Sequence, residues 1–215
     1  MNRSYRVLTL LVAAYVAAQM LSDIASLRIV EIAGWSMDAG TLIYPITFTL
    51  RDLVHKVAGK RVARLLIFVA AGINLFMAAA FWLVASLPTD VAVGAQAEFG
   101  TVLSPLWRIV FASVLAEVVA ELIDTEAYAA WKARFADKMQ WGRVLSSNLV
   151  AIPVDSAIFV LIAFYGVLPA SVVLAIFWTN VLLKGLVTIT SIPLIYVVNP
   201  DPLEVADATS ELADA

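Results

Sequence analysis

Five carboxylates, Asp52, Glu117, Glu121, Asp124 and Asp155, fall inside apolar stretches of this chain, accompanied by only two cations, Arg51 and Lys184. An ionised side chain at the centre of a bilayer costs roughly 3 kcal/mol on insertion scales, so such groups face a protein interior or a water-filled path. A buried carboxylate can accept N–H donors or carry a proton. The acidic excess therefore points to a small polar solute, or protons, moving through a helical bundle.

The polar residues within these stretches recur at helical spacing, which puts each set on one face. One segment offers Thr41, Tyr44, Phe48, Arg51 or Asp52, and His55; another offers Ser113, Glu117, Glu121, Asp124 and Tyr128. Two later segments contribute Asn148 with Asp155, and Asn180 with Lys184, Thr188 and Ser191. Four stripes imply one shared polar interior. At about 1.5 Å of rise per residue, Arg51, Asp52, Glu117, Asp155 and Lys184 share a middle depth, with Glu121 and Asp124 progressively nearer one membrane face.

The elements that must position these groups follow from composition and hydropathy. The chain has 215 residues, 62% of them hydrophobic and 14% charged, with a mean hydropathy of +0.92; a soluble domain is far less apolar. The expectation is an all-α integral membrane protein, a bundle of six transmembrane helices at about 7–27, 41–57, 62–87, 106–128, 145–165 and 169–198. Together these make one transmembrane domain over 1–198. A short extracellular β-hairpin is expected between helices 1 and 2, around Leu27 to Ile32 with a turn at Gly34. The second helix has an uninterrupted apolar run that stops at Leu50, too short to span alone, and Pro45 within it is expected to kink it. The third, with Asn74 as its main polar interruption, reads as lipid-facing. Residues 199–215 read as a disordered acidic tail.

Lys and Arg crowd alternate loops: Arg3 and Arg6; Lys60, Arg61 and Arg64; Lys132, Arg134, Lys138 and Arg143. This predicts both termini on the cytoplasmic side. Small residues Ala13, Ala14, Ala17 and Ala18 resemble a signal-peptide cleavage region, but helix 1 reads better as a retained span with a close-packing face. Asp23 and Glu126 read as interfacial.

Several classes of chemistry are excluded. Cysteine is absent and His55 is the only histidine, so thiolate, zinc and haem sites are not expected. No metal site and no cofactor is expected. There is no HExxH, no serine in a nucleophile-type turn and no phosphate-cradling glycine loop, so no catalytic residue is assigned and the chain does not read as an enzyme.

Two runs, Leu42-Ile43-Tyr44-Pro45-Ile46-Thr47-Phe48-Thr49-Leu50-Arg51-Asp52 and Gly59-Lys60-Arg61-Val62-Ala63-Arg64, resemble the opening signature of the VUT family, the queuosine precursor transporters. Ala116-Glu117 with Glu121-Leu122-Ile123-Asp124-Thr125, Ser147-Asn148 with Pro153-Val154-Asp155-Ser156, and Lys184 with Pro193 and Tyr196 follow in the same order. The resemblance covers the chain except its tail. It implies a six-helix bacterial inner-membrane protein that takes up 7-deazaguanine precursors such as preQ0 or preQ1. Lys56 stands where that family usually has a carboxylate, and Arg51 where it has a small polar residue, which suggests a divergent subgroup.

A guanine-like edge presents adjacent N–H donors that a carboxylate can accept in bidentate fashion. Glu117 or Asp155 is the expected reader of that edge, Asn148 or Lys184 of the carbonyl, and Tyr44 or Phe48 of the ring face. The candidate substrate-binding set is Tyr44, Phe48, Arg51, Asp52, Glu117, Glu121, Asp124, Asn148, Asp155, Asn180 and Lys184. The competing reading of Arg51, Asp52, Glu121 and Lys184 is as ion pairs that hold helices together. The expected partners are a small purine-like molecule and membrane lipid, without nucleic acid; a homodimer or an energising module stays open. In the alternative, the Ala-x-x-x-Ala pairs of helix 1 resemble the docking face of the substrate-binding subunits of energy-coupling-factor vitamin or nucleobase importers.

Overall fold

The computed structural model describes residues 3–135 and 140–197. Within the helices some side chains, including those of Asp52, His55, Lys56, Glu121, Asp124 and Tyr128, fall outside the described set, as does the expected tail. The chain is mostly helical: α1 (Arg3–Ala25), β1 (Ile29–Ile32), β2 (Trp35–Asp38), a 3-10 turn (Ala39–Leu42), α2 (Pro45–Ser86), α3 (Ala97–Leu103), α4 (Leu106–Phe135), α5 (Gln140–Phe164) and α6 (Ala170–Val197). Among the described residues, four helical stretches are long and apolar enough to cross a membrane: Arg6–Ala25, Arg61–Ser86, Ala97–Ala120 and Ala170–Thr190. Asn148–Phe164 is apolar but shorter.

The segment expected as a helix over 41–57 is built differently. Asp38 caps the 3-10 turn by accepting from the backbone N–H of Thr41, and α2 begins only at Pro45. Proline there is at the first helical position, where its missing N–H would have had no partner, so it starts the helix without kinking it. The break lies at Gly59 instead, with φ 79° and ψ 170° inside α2. Only glycine adopts that backbone region at little cost, and it divides α2 into the short first half and the span from Arg61.

Ala33 and Gly34 form the two-residue turn of the hairpin, both with positive φ, the twist that a tight antiparallel hairpin needs. The pairing Ile29 with Asp38 through Ile32 with Trp35 turns Met37 and Asp38 into the protein while Ile32 and Trp35 stay exposed. The hairpin packs against α6, where the Thr179 hydroxyl, 2.9 Å from the Ala175 carbonyl of its own helix, also lies 3.2 Å from the Ser36 carbonyl.

Two apolar clusters flank the polar interior. One gathers Leu106, Ile109, Val110, Phe159, Val160 and Ile176 from α4, α5 and α6. The other joins Tyr15 of α1 to Val54, Leu66 and Ala70 of α2. The face of α2 carrying Leu65, Phe68, Phe76 and Trp82 is exposed, while Leu66, Ile67, Ala70 and Asn74 on its other face are buried. One side of that helix therefore packs into the bundle while the other is left open. At the start of α4, Arg108 donates to the carbonyls of Ile162 and Tyr165, supplying partners and positive charge to the end of α5.

Candidate functional site

The side chains that build the site begin on α1, at a spacing visible in the sequence itself. Tyr15, Gln19, Ser22, Asp23 and Ser26 follow one another at i, i+4, i+7, i+8 and i+11, one helical face, and all five are buried. The alanines around them mask this face, and Asp23, which reads as interfacial in the sequence, is buried in the protein at only 3% exposed. The signal was present as a fifth polar stripe.

Tyr15 and Gln19 take hold of Glu117 on α4. The Tyr15 hydroxyl donates to Oε1 and the Gln19 amide to Oε2, each at 2.9 Å. Both carboxylate oxygens are thereby engaged, a charge-assisted arrangement that joins α1 to α4 across the interior.

One turn further along α1 the chain doubles back on itself. Ser22 donates to the carbonyl of Gly40 at 3.0 Å, and Ser26 donates to Asp38 at 2.8 Å. The 3-10 turn lies so close to α1 that a Cβ on Gly40 would sit 2.0 Å from the Ser26 hydroxyl and 2.3 Å from the Ser22 carbonyl. Asp38 also takes the hydroxyl of Thr41 at 2.6 Å, and Thr41 Oγ1 in turn meets Asn180 of α6. One hydroxyl hydrogen cannot serve two acceptors. The relay is satisfied when the Asn180 amide donates to Thr41 and Thr41 donates to Asp38.

On the opposite wall, Lys184 of α6 pairs with Asp155 of α5, both buried. The ammonium also lies 4.7 Å from the centre of the Tyr44 ring, close enough for a cation–π contact. Phe48 meets Tyr44 edge-on at 5.1 Å and takes the Arg51 guanidinium over its own ring at 5.8 Å.

These groups surround a cavity of about 20 Å³, lined on one side by Ser22, Asp23, Ser26 and Ser113 and on the other by Tyr44, Asp155, Asn180 and Lys184. That volume admits about one water, so the walls are drawn together by the contacts just described. A second hollow, near Trp82, Trp107 and Phe111, is almost wholly apolar and offers nothing to recognise a polar solute.

Of the residues expected at the site, Tyr44, Asp155, Asn180 and Lys184 line the cavity. Glu117 follows Ala116, which lines it, but is not itself on the wall; Phe48 packs against Tyr44; Arg51 and Asn148 are off the wall, though each has other partners. Asp52, Glu121 and Asp124 lie on α2 and α4, but their side chains are outside the described residues. Tyr15, Gln19, Ser22, Asp23, Ser26 and Asp38 are the contributors not foreseen. Among the described residues, no group of three or more acidic or histidine side chains is placed to hold a metal ion.

Comparison with known proteins adds to this geometry. The family described as "Putative vitamin uptake transporter" matches residues 38–198. The chain is similar to the "Probable queuosine precursor transporter" of Bacillus subtilis (strain 168), 28% identical over 191 residues, covering 83% of this chain and 79% of that one. No solved structure matches. A polar interior among apolar helices long enough to cross a bilayer, together with a family match over three quarters of its length, identifies the chain as a multi-pass membrane transporter, not an enzyme, belonging to the vitamin uptake transporter (VUT) family.

Proposed function

We propose that this protein takes up a 7-deazaguanine precursor of queuosine, of the preQ0 or preQ1 kind, across the bacterial inner membrane, using the polar cavity as its binding site. The observation that carries the reading is the company the cavity keeps. Buried carboxylates, a lysine, an amide and an aromatic ring converge on one space inside an apolar bundle. Those are the partners a flat heterocycle with adjacent N–H donors and a carbonyl requires. The name of the Bacillus subtilis relative supports the same class.

In this reading the carboxylates accept the donor edge, Lys184 and Asn180 serve the carbonyl, and Tyr44 offers a stacking face worth about 1–3 kcal/mol by analogy with base stacking. Admitting the ring requires the walls to separate. The contacts that close them, Asp155 to Lys184 between α5 and α6 and Asn180 to Thr41 between α6 and the 3-10 turn, are the ones a substrate can replace group for group. Alternation between openings on the two membrane faces completes transport. The bundle is read as six crossings with both termini in the cytoplasm, α5 and the first half of α2 supplying the two crossings shorter than a full span.

Thermal unfolding of the purified protein with preQ0, preQ1, queuine, guanine and a set of vitamins tests the substrate class. Stabilisation by a deazaguanine and not by the vitamins is expected. Stabilisation by a vitamin alone, or by none of the bases, overturns the assignment.

A further inference from the structure

The carboxylates around the cavity are not equally engaged. Asp38 is met by Ser26, by the Thr41 N–H and by the Thr41 hydroxyl. Asp155 holds Lys184, and Glu117 holds Tyr15 and Gln19. Asp23 differs: Ser113 of α4 hydrogen-bonds its carboxyl, yet Oδ2 is buried and meets no donor. A buried acceptor left without a donor costs about 1–3 kcal/mol, and more if charged, so its retention in an apolar helix calls for a reason.

The placement supplies one. Asp23 is on the cavity wall, in the last turn of α1, and Ser113 fixes it from the neighbouring helix. Its surroundings favour an incoming donor further, because Glu117 and Asp38 lie near enough to act on it electrostatically while the cavity's lysine is committed to Asp155 across the space. The cavity is thus acceptor-rich at α1 and carries its cation at α6.

We propose that Asp23 is the specificity-determining residue that accepts the ring and exocyclic N–H donors of the transported heterocycle, with Glu117 acting as a positioning residue that holds α1 and α4 in register. This rests on the deazaguanine reading above. It moves the donor-edge role from Glu117 or Asp155, where the sequence alone put it, to the acidic side chain whose acceptor is open. A ligand that fits has two N–H donors on one edge and a carbonyl beside them. A base lacking the exocyclic amine loses one of the two bonds to Asp23.

The test compares the affinities of the full-length protein for 7-deazaguanine and for 7-deazahypoxanthine, which lacks that amine. The wild type is expected to prefer 7-deazaguanine by at least about 10-fold, the range of a hydrogen bond to a charged acceptor. Asp23→Leu brings the ratio near one, whereas Glu117→Gln leaves the ratio as in the wild type even where overall affinity falls. Should the Leu protein fail to fold, Asp23→Asn carries the test, since a neutral acceptor lowers the ratio at least about threefold. A wild type that binds 7-deazaguanine and an Asp23 variant that keeps the full preference overturn the role of Asp23 alone. A wild type that binds neither base overturns the substrate reading and the role of Asp23 with it.

Discussion

Removing one partner of the Asp155–Lys184 pair is the perturbation whose size the structure fixes best. The two side chains are 8% and 7% exposed and bridge α5 to α6. Breaking such a pair from one side costs about 3–5 kcal/mol, because the remaining charge is buried without compensation. Lys184→Met also removes the contact with the Tyr44 ring, worth about 0.5–2 kcal/mol. For a chain of this size each kcal/mol lowers Tm by about 2–4 °C, so the two losses together, about 3.5–7 kcal/mol, predict a drop of roughly 7–28 °C for Lys184→Met in detergent. Asp155→Asn is expected to fall nearly as far. The double variant Asp155→Asn with Lys184→Met leaves no charge unpaired and should be no less stable than either single variant, a coupling of at least about 3 kcal/mol; the ring contact is what it cannot restore. Single variants within about 1 kcal/mol of the wild type, or losses that simply add, would refute the claim that a desolvated ion pair closes this wall.

Three further outcomes follow from individual contacts. Tyr15→Phe leaves Glu117 Oε1 without the donor it has at 2.9 Å, and a loss of about 1–3 kcal/mol should appear in thermal unfolding. Gly40→Ala drives a methyl group into Ser26 and the Ser22 backbone; about 1–3 kcal/mol of overpacking is expected, with a measurable fall in substrate affinity because the 3-10 turn is part of the cavity wall. Gly59→Ala forces a side chain into the φ 79°, ψ 170° region at about 1–3 kcal/mol, and protease sensitivity at the α2 break should rise.

How much the sequence disclosed depended on what each residue had to do. The apolar runs and the polar stripes around Asp155, Asn180 and Lys184 were legible because helical period and hydropathy are local properties. The hairpin was legible from its β-branched run and Gly34. Pro45 misled, since the same residue that kinks a helix interior is well suited to a helix start, and here a separate 3-10 turn precedes it. The α1 contribution was hidden behind its alanines, although Tyr15, Gln19, Ser22, Asp23 and Ser26 kept strict helical spacing. Which carboxylate is engaged and which is open could not be read at all: that distinction is made by Tyr15, Gln19 and Ser113, which reach Glu117 and Asp23 from other helices.

Transport itself is the most direct test, measured as uptake of labelled preQ0 or preQ1 by liposomes that contain the purified protein and neither ATP nor any other protein. Saturable uptake, competed by the unlabelled deazaguanine and abolished when the Lys184 wall is broken by Lys184→Met, is the expected result. Folded protein that leaves the liposomes no more permeable to these bases than protein-free controls would contradict it.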